Sequence, residues 1–195
     1  KKTCDFSFQR RRGQIKIKQF KRMIKETEAS IVSNPDNAPG KAMLSELSSQ
    51  LRAYELEHFR SCVQNYPTDL SSKYEYGLRL LHNKQYDDAI PLFQDAKKDP
   101  RYRIAAMDKA GLCFFLKGWY PDAIEVFTKA LVVHELKDDG IAKELQYNLA
   151  RTYEESGDAE KALELYRKIA QFDFGYKDVH MRIDNLRNKT EKSSS

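Results

Sequence analysis

Gly77, Ala89, Phe93 and Ala96 return 34 residues later as Gly111, Ala123, Phe127 and Ala130. A third copy follows as Ala150, Tyr153, Gly157, Ala162 and Tyr166, displaced by 39 residues instead of 34. The five extra residues fall in His134-Glu135-Leu136-Lys137-Asp138-Asp139-Gly140, which reads as a longer loop. Small, aromatic and turn-forming residues keep step across all three copies, and such a period is the mark of a stacked repeat. Each copy holds two helical stretches of about 12 residues around a polar turn. The turns are Asn83-Lys84-Gln85, Lys117-Gly118-Trp119 and Ser156-Gly157-Asp158.

Close helix packing explains the residue types. Gly or Ala on the first helix and Ala on the second let two backbones approach to about 8–10 Å. Leu80, Phe114 and Tyr153 on first helices, with Phe93, Phe127 and Tyr166 on second helices, fill the space between neighbours. One such hairpin cannot bury its apolar face alone, so the copies stack. The expected fold is all-α: an α-solenoid of antiparallel helix pairs over residues 70–174. Pro91 is expected in the first turn of its helix, where amide protons have no helical acceptor.

The flanks complete the array. Ile17, Phe20, Ile24 and Ile31 form one stripe over residues 14–33, and Asn34 to Gly40 reads as a turn. Lys41 to Asn65 reads as a long helix, so residues 14–66 are expected to pair as an N-terminal helical hairpin. Tyr66-Pro67-Thr68-Asp69 then breaks the chain. At the other end, Gly175-Tyr176-Lys177-Asp178 reads as a stop, turn and N-cap. Val179, Ile183 and Leu186 on one side, against Arg182, Asp184, Arg187 and Asn188, predict a capping helix within 175–189. Residues 190–195 are expected to be a frayed, disordered tail.

Chemistry-bearing motifs are sparse. Cys4, Cys62 and Cys113 form no CxxC pair, and their odd number argues against a disulfide framework. Cys113 within Leu112-Cys113-Phe114-Phe115-Leu116 reads as a buried reduced thiol, which favours a reducing, cytoplasmic compartment. His58, His82, His134 and His180 are scattered without metal-ligand spacing. Gly111 and Gly118 lack the neighbours that surround a phosphate. No metal, no cofactor and no catalytic residue is expected, and the chain reads as a non-enzyme. No apolar run approaches the roughly 18 residues of a membrane span. The Lys1-Lys2 start, without an initiator Met or an apolar signal core, suggests a piece of a longer chain.

Charge is uneven. Of 34 basic and 29 acidic residues, ten Lys or Arg and one Asp fall in the first 25 positions, a local net of +9. Residues 1–13 are expected as a flexible or partner-dependent basic arm, with a short edge strand open to Cys4, Phe6 and Phe8. Arg10, Arg11, Arg12, Lys16, Lys18, Lys21 and Arg22 are the candidates for an anionic surface, an acidic protein or nucleic acid. A solvated helix face is the plainer alternative, and no aromatic-rich basic platform favours single-stranded nucleic acid.

Over 70–174 the chain resembles the tetratricopeptide repeat family. The resemblance rests most on Tyr147-Asn148-Leu149-Ala150-Arg151-Thr152-Tyr153, continued through Gly157-Asp158, Ala162-Leu163 and Tyr166. Phe174 stands where the family usually has proline, and Ile169 where it has a small residue. The resemblance implies a concave groove lined by first helices, in which ligand peptides lie. By helical phase that selects Tyr74, Leu78, Leu81, Asp108, Leu112, Phe115, Tyr147 and Arg151 as partner-binding residues. Leu78 and Leu112 occupy places where members that clamp a terminal carboxylate carry polar donors, so that mode is rejected. Large apolar side chains left in water forgo roughly 1.5–3 kcal/mol each. The cover expected for them is a partner's amphipathic helix, a second protomer in a homo-oligomer, or the chain's own upstream helices. Trp119, at a turn beside Tyr120-Pro121, is a further anchor candidate. The expected function is a protein–protein interaction scaffold. The alternatives are the basic arm on an anionic surface, or repeats that dock a larger enzyme.

Overall fold

A computed structural model describes residues 2–135 and 139–193, with side chains from 6 to 135 and 139 to 188. The described residues form helices alone: α1 (Lys2–Ser33), α2 (Ala38–Asn65), α3 (Leu70–His82), α4 (Tyr86–Ala96), α5 (Arg103–Leu116), α6 (Tyr120–Val133), α7 (Gly140–Ser156), α8 (Ala159–Phe172) and α9 (Val179–Ser193). The chain divides into two compact units, Lys1–Asn83 and Lys84–Ser195. That division falls inside the turn of the first sequence repeat.

In the first unit α1 packs on α2, and α2 on α3. Phe6 meets Tyr66 edge-on at 5.3 Å, Phe20 meets Tyr54 at 6.0 Å, and Lys21 reaches Glu55 at 3.3 Å. Rising numbers on α1 meet falling numbers on α2, so the two run antiparallel. They approach closely at Gly13, where an added Cβ would lie 2.2 Å from His58 Nδ1. Asp69 caps α3 by accepting from the Ser71 and Ser72 amides, and Arg10 reaches the same carboxylate at 2.8 Å.

The expected strand and separate arm are corrected. Residues 2–13 are the first turns of α1, because Phe6 finds an apolar seat against α2 and Arg10 finds the α3 cap. A helix satisfies its own amides, whereas a lone strand would leave them unpaired. The second helix also begins earlier than Lys41. Asn37 caps it through the Gly40 amide, and Pro39 sits in the first turn, where it costs no hydrogen bond.

In the second unit α4 to α9 pack each on the next, and α5 also touches α7. The repeated small residues do the work their spacing predicts. Gly111 lies so close to Phe127 that a Cβ would stand 2.7 Å from the ring, and Ala123, Phe127, Ala130 and Leu145 are buried together. Ala150, Ala162, Tyr166 and Ile169 form the next cluster, closed by Val179, Ile183 and Leu186 of α9. The turn residues share one conformation: Lys84, Gly118 and Gly157 have φ of 60°, 75° and 90°. After α5 and α7 the amides of Trp119 and Asp158 reach back to the carbonyls of Phe114 and Tyr153, each at 2.9 Å.

Three further expectations change. Pro91 is not in a first turn. The helix starts at Tyr86, so Pro91 sits in its second turn and deprives the Asp87 carbonyl of its helical donor. Pro91 lies on the exposed side, open to water. The last helix continues to Ser193, so residues 190–193 are helical rather than frayed; 194–195 lie outside the described residues. Of the loop between α6 and α7, residues 136–138 lie outside the described residues, while His134 Nε2 and Asp139 Oδ1 meet at 2.8 Å.

Candidate partner-binding face

Within the second unit the first helices of successive pairs, α5 and α7, lie side by side. Asp108 and Asn148 face each other there and are both buried. Asn148 Nδ2 donates to Asp108 Oδ1 at 2.8 Å, and Lys109 Nζ donates to Oδ2 at 2.7 Å. A buried amide–carboxylate pair fixes the register of two helices, because breaking it strands both groups in a dry setting. One turn further along, Arg151 spreads over the Phe115 ring at 4.7 Å and the Tyr147 ring at 5.8 Å. Leu112 and Phe115 remain half-buried, and Arg151 likewise.

The nine partner-binding candidates therefore divide. Arg151 lies over Phe115, and both stay half-buried, as does Leu112 one turn earlier on α5. Asp108 and Tyr147 are withdrawn from solvent by contacts within the unit. The Tyr147 hydroxyl donates to Asp178 at 2.6 Å, and its ring packs on Tyr166 and Tyr176. In the first unit Tyr74 and Leu78 on α3 are half-buried, while Leu81 is buried. Trp119 is 49% exposed, with its ring stacked near Phe114 at 6.1 Å and Lys117 Nζ at 3.5 Å from its centroid. It caps α6 by position and keeps one edge in water.

The seven basic candidates also divide. Arg10 and Lys21 pair with Asp69 and Glu55, and Arg22 pairs with Glu26 on the surface. Lys16 lies over the Tyr54 ring at 4.7 Å. Arg11, Arg12 and Lys18 are exposed, with no ion pair among the described residues.

Two arrangements escaped the sequence reading. Tyr147, Asp178, Arg182, Glu154 and Tyr166 form one chain of polar contacts across α7, α8 and α9: Arg182 donates to Asp178 at 3.0 Å and to Glu154 at 2.8 Å, and Tyr166 donates to Glu154 at 2.8 Å. Burial works to raise the Asp178 carboxyl, but the Tyr147 and Arg182 hydrogen bonds outweigh it and hold it below the ordinary range. Tyr166 was legible as a core residue, whereas Tyr147 was read as facing the groove; the partners of their hydroxyls, Glu154 and Asp178, lie on other segments and share no spacing with them. The other is a groove of about 470 Å³ lined by Lys97, Arg103, Met107, Lys129, Val132 and Val133. Among the described residues no three His, Cys, Asp or Glu converge as metal ligands, and no helix is long and apolar enough to cross a membrane. Burial pushes the Cys113 thiol up to about 12.

Residues 102–172 match the sequence model of the tetratricopeptide repeat family. A search of curated proteins matched none. Solved structures match over most of the chain. The C-terminal part of a TPR repeat-containing protein from Cytophaga hutchinsonii aligns at TM-score 0.65 and 16% identity, over 95% of this chain and 73% of that one. TTC0263, a thermophilic TPR protein of Thermus thermophilus, aligns at TM-score 0.58 and 19% identity, over 90% and 95%. MamA aligns at TM-score 0.63 and 14% identity, over 76% and 84%. At these identities the likeness concerns the fold.

Proposed function

We propose, for a chain that is a tetratricopeptide repeat protein, that it works as a non-catalytic scaffold whose first helices hold a segment of another polypeptide. The observation that carries this reading is the α5/α7 face. Its base is locked by the buried Asp108–Asn148 bond, yet Leu112, Phe115 and Arg151 above it keep accessible surface. A face held rigid before binding loses little entropy when a ligand arrives. Apolar side chains beside one guanidinium suit an extended or helical segment with apolar residues and a carboxylate or carbonyl. The exposed Trp119 is a further candidate for contact within the same unit, and Tyr74 and Leu78 on α3 are separate candidates within the first unit.

The test compares proteins retained from lysate by the wild type and by a Leu112→Glu/Phe115→Ser variant, identified by mass spectrometry, with helicity checked by circular dichroism. The reading expects specific partners to vanish from the variant at unchanged helicity. Retention of the same partners in the same yield would remove this face from the account.

A further inference from the structure

α1 is apolar on two opposite sides, and only one of them is used within the unit. Phe6, Gly13, Ile17 and Phe20 turn towards α2, with Phe6 and Ile17 buried. At 3.6 residues per turn the opposite flank carries Phe8, Arg11, Arg12, Ile15, Lys18 and Arg22. Phe8 is 69% exposed and Ile15 50%, and Met23, a further two turns on, is also exposed. Single exposed apolar residues are ordinary. Here Phe8 and Ile15 lie seven residues and about 20° apart around the helix, interleaved with cations, and Met23 stands about 80° further round, at the edge of that flank. The sequence holds no Asp or Glu between Asp5 and Glu26. Arg11, Arg12 and Lys18 make no ion pair among the described residues, and Arg22 meets only the exposed Glu26 at 3.3 Å.

We infer that this outward flank of α1 is a docking face for an anionic lipid surface, with the helix lying in the plane of the interface. The side-chain chemistry selects that occupant. Nucleic acid would use the guanidinium and ammonium groups but would gain nothing from Phe8, Ile15 and Met23. A partner helix would need apolar residues every three to four positions, and Arg11 and Arg12 occupy those positions between Phe8 and Ile15. An anionic interface uses both kinds of side chain: the apolar ones enter the acyl boundary while the long basic ones reach lipid phosphates. From Phe8 through Ile15 to Arg22 the flank runs about 21 Å at 1.5 Å per residue, four turns of helix along one side. The charge asymmetry, +9 over residues 1–25 against −4 over the rest, presents this end to a negative surface.

Co-sedimentation of the full chain with phosphatidylcholine vesicles, with and without phosphatidylserine, tests the inference. Binding is expected only to vesicles containing phosphatidylserine, and to weaken as salt is raised. Arg11→Glu/Arg12→Glu should weaken it at least about 25-fold, from roughly fivefold per basic charge. Phe8→Ser/Ile15→Ser should weaken it with every charge intact, and Lys129→Glu in the second unit should leave it unchanged. All these residues are exposed, so circular dichroism should show folded variants. Folded protein that ignores both kinds of vesicle overturns the inference. So does binding that survives Phe8→Ser/Ile15→Ser, or tighter binding to a duplex DNA oligonucleotide that ignores that change. Self-association lost in the variants, without vesicle binding, would assign the face to a second copy and equally overturn it.

Discussion

Lys84, Gly118 and Gly157 occupy the same place in three successive turns, and all three are left-handed. A side chain in that region meets the following carbonyl oxygen, at a cost of about 1 kcal/mol, which glycine avoids. Two of the three turns carry glycine; the first carries lysine and bears the strain. Lys84→Gly should therefore raise stability by about 0.5–1 kcal/mol, and Gly157→Ala should lower it by about 1 kcal/mol. Urea unfolding of both variants checks the pair, and a loss of stability in Lys84→Gly would refute the argument. Repetition made these positions legible, since Gly118 and Gly157 reveal what the turn demands and Lys84 departs from it. Gly13 had no second copy to explain it. Its close approach to His58 depends on a helix pairing that no period announces.

At the scale of the element, helix bounds follow from what each end can reach. The sequence alone allowed a strand over Cys4 to Phe8 because alternation fits one, yet Phe6 and Arg10 have partners a helix can deliver. The same hairpin contains His58, partly buried between Gly13 and Cys62. Burial, then the nearby Arg10 and Arg79 charges, lower its pKa below the usual value of about 6.5. The folded state thus keeps the ring neutral at a pH where the unfolded chain binds a proton. Stability from this source is complete above about pH 6.5 and is lost as pH falls towards the folded pKa. Thermal melts of the full chain between pH 7.5 and pH 5 should show a falling midpoint. His58→Gln should flatten that part of the profile, while leaving the acid loss near pH 4 that paired carboxylates such as Asp69 and Asp178 produce. Burial alone would raise the Asp69 carboxyl, but hydrogen bonds from Ser72 and the Arg10 charge hold it low. An unchanged slope in the variant would rule His58 out.

At the scale of the whole chain, the repeat period made the helix pairs of the second and third copies and their small-residue contacts readable, because each of those copies repeats one solution to one packing problem. The faces left over were read less well. Phase placed Asp108 and Tyr147 towards a ligand, but polar atoms on neighbouring helices took both side chains first. Periodicity gives direction around a helix; it cannot say which neighbour arrives there. The end of the array shows the consequence. Ala162, Tyr166 and Ile169 are buried against Val179, Ile183 and Leu186, so α9 closes a surface that another repeat would otherwise cover. Arg182 adds charged contacts to α7 through Glu154 while its backbone remains part of α9. Each apolar side chain uncovered forgoes about 1.5–3 kcal/mol, and Glu154 and Tyr147 would lose partners on the same cut. A chain ending at Lys177 should therefore melt well below the full protein, with α8 amides exchanging first in hydrogen–deuterium exchange. The helices of the first unit should keep their protection, since nearest-neighbour stacking carries the loss no further than the elements that touched α9 directly. Uniform deprotection of the whole chain would contradict that local coupling, and unchanged protection of α8 would remove α9 from its role as cover.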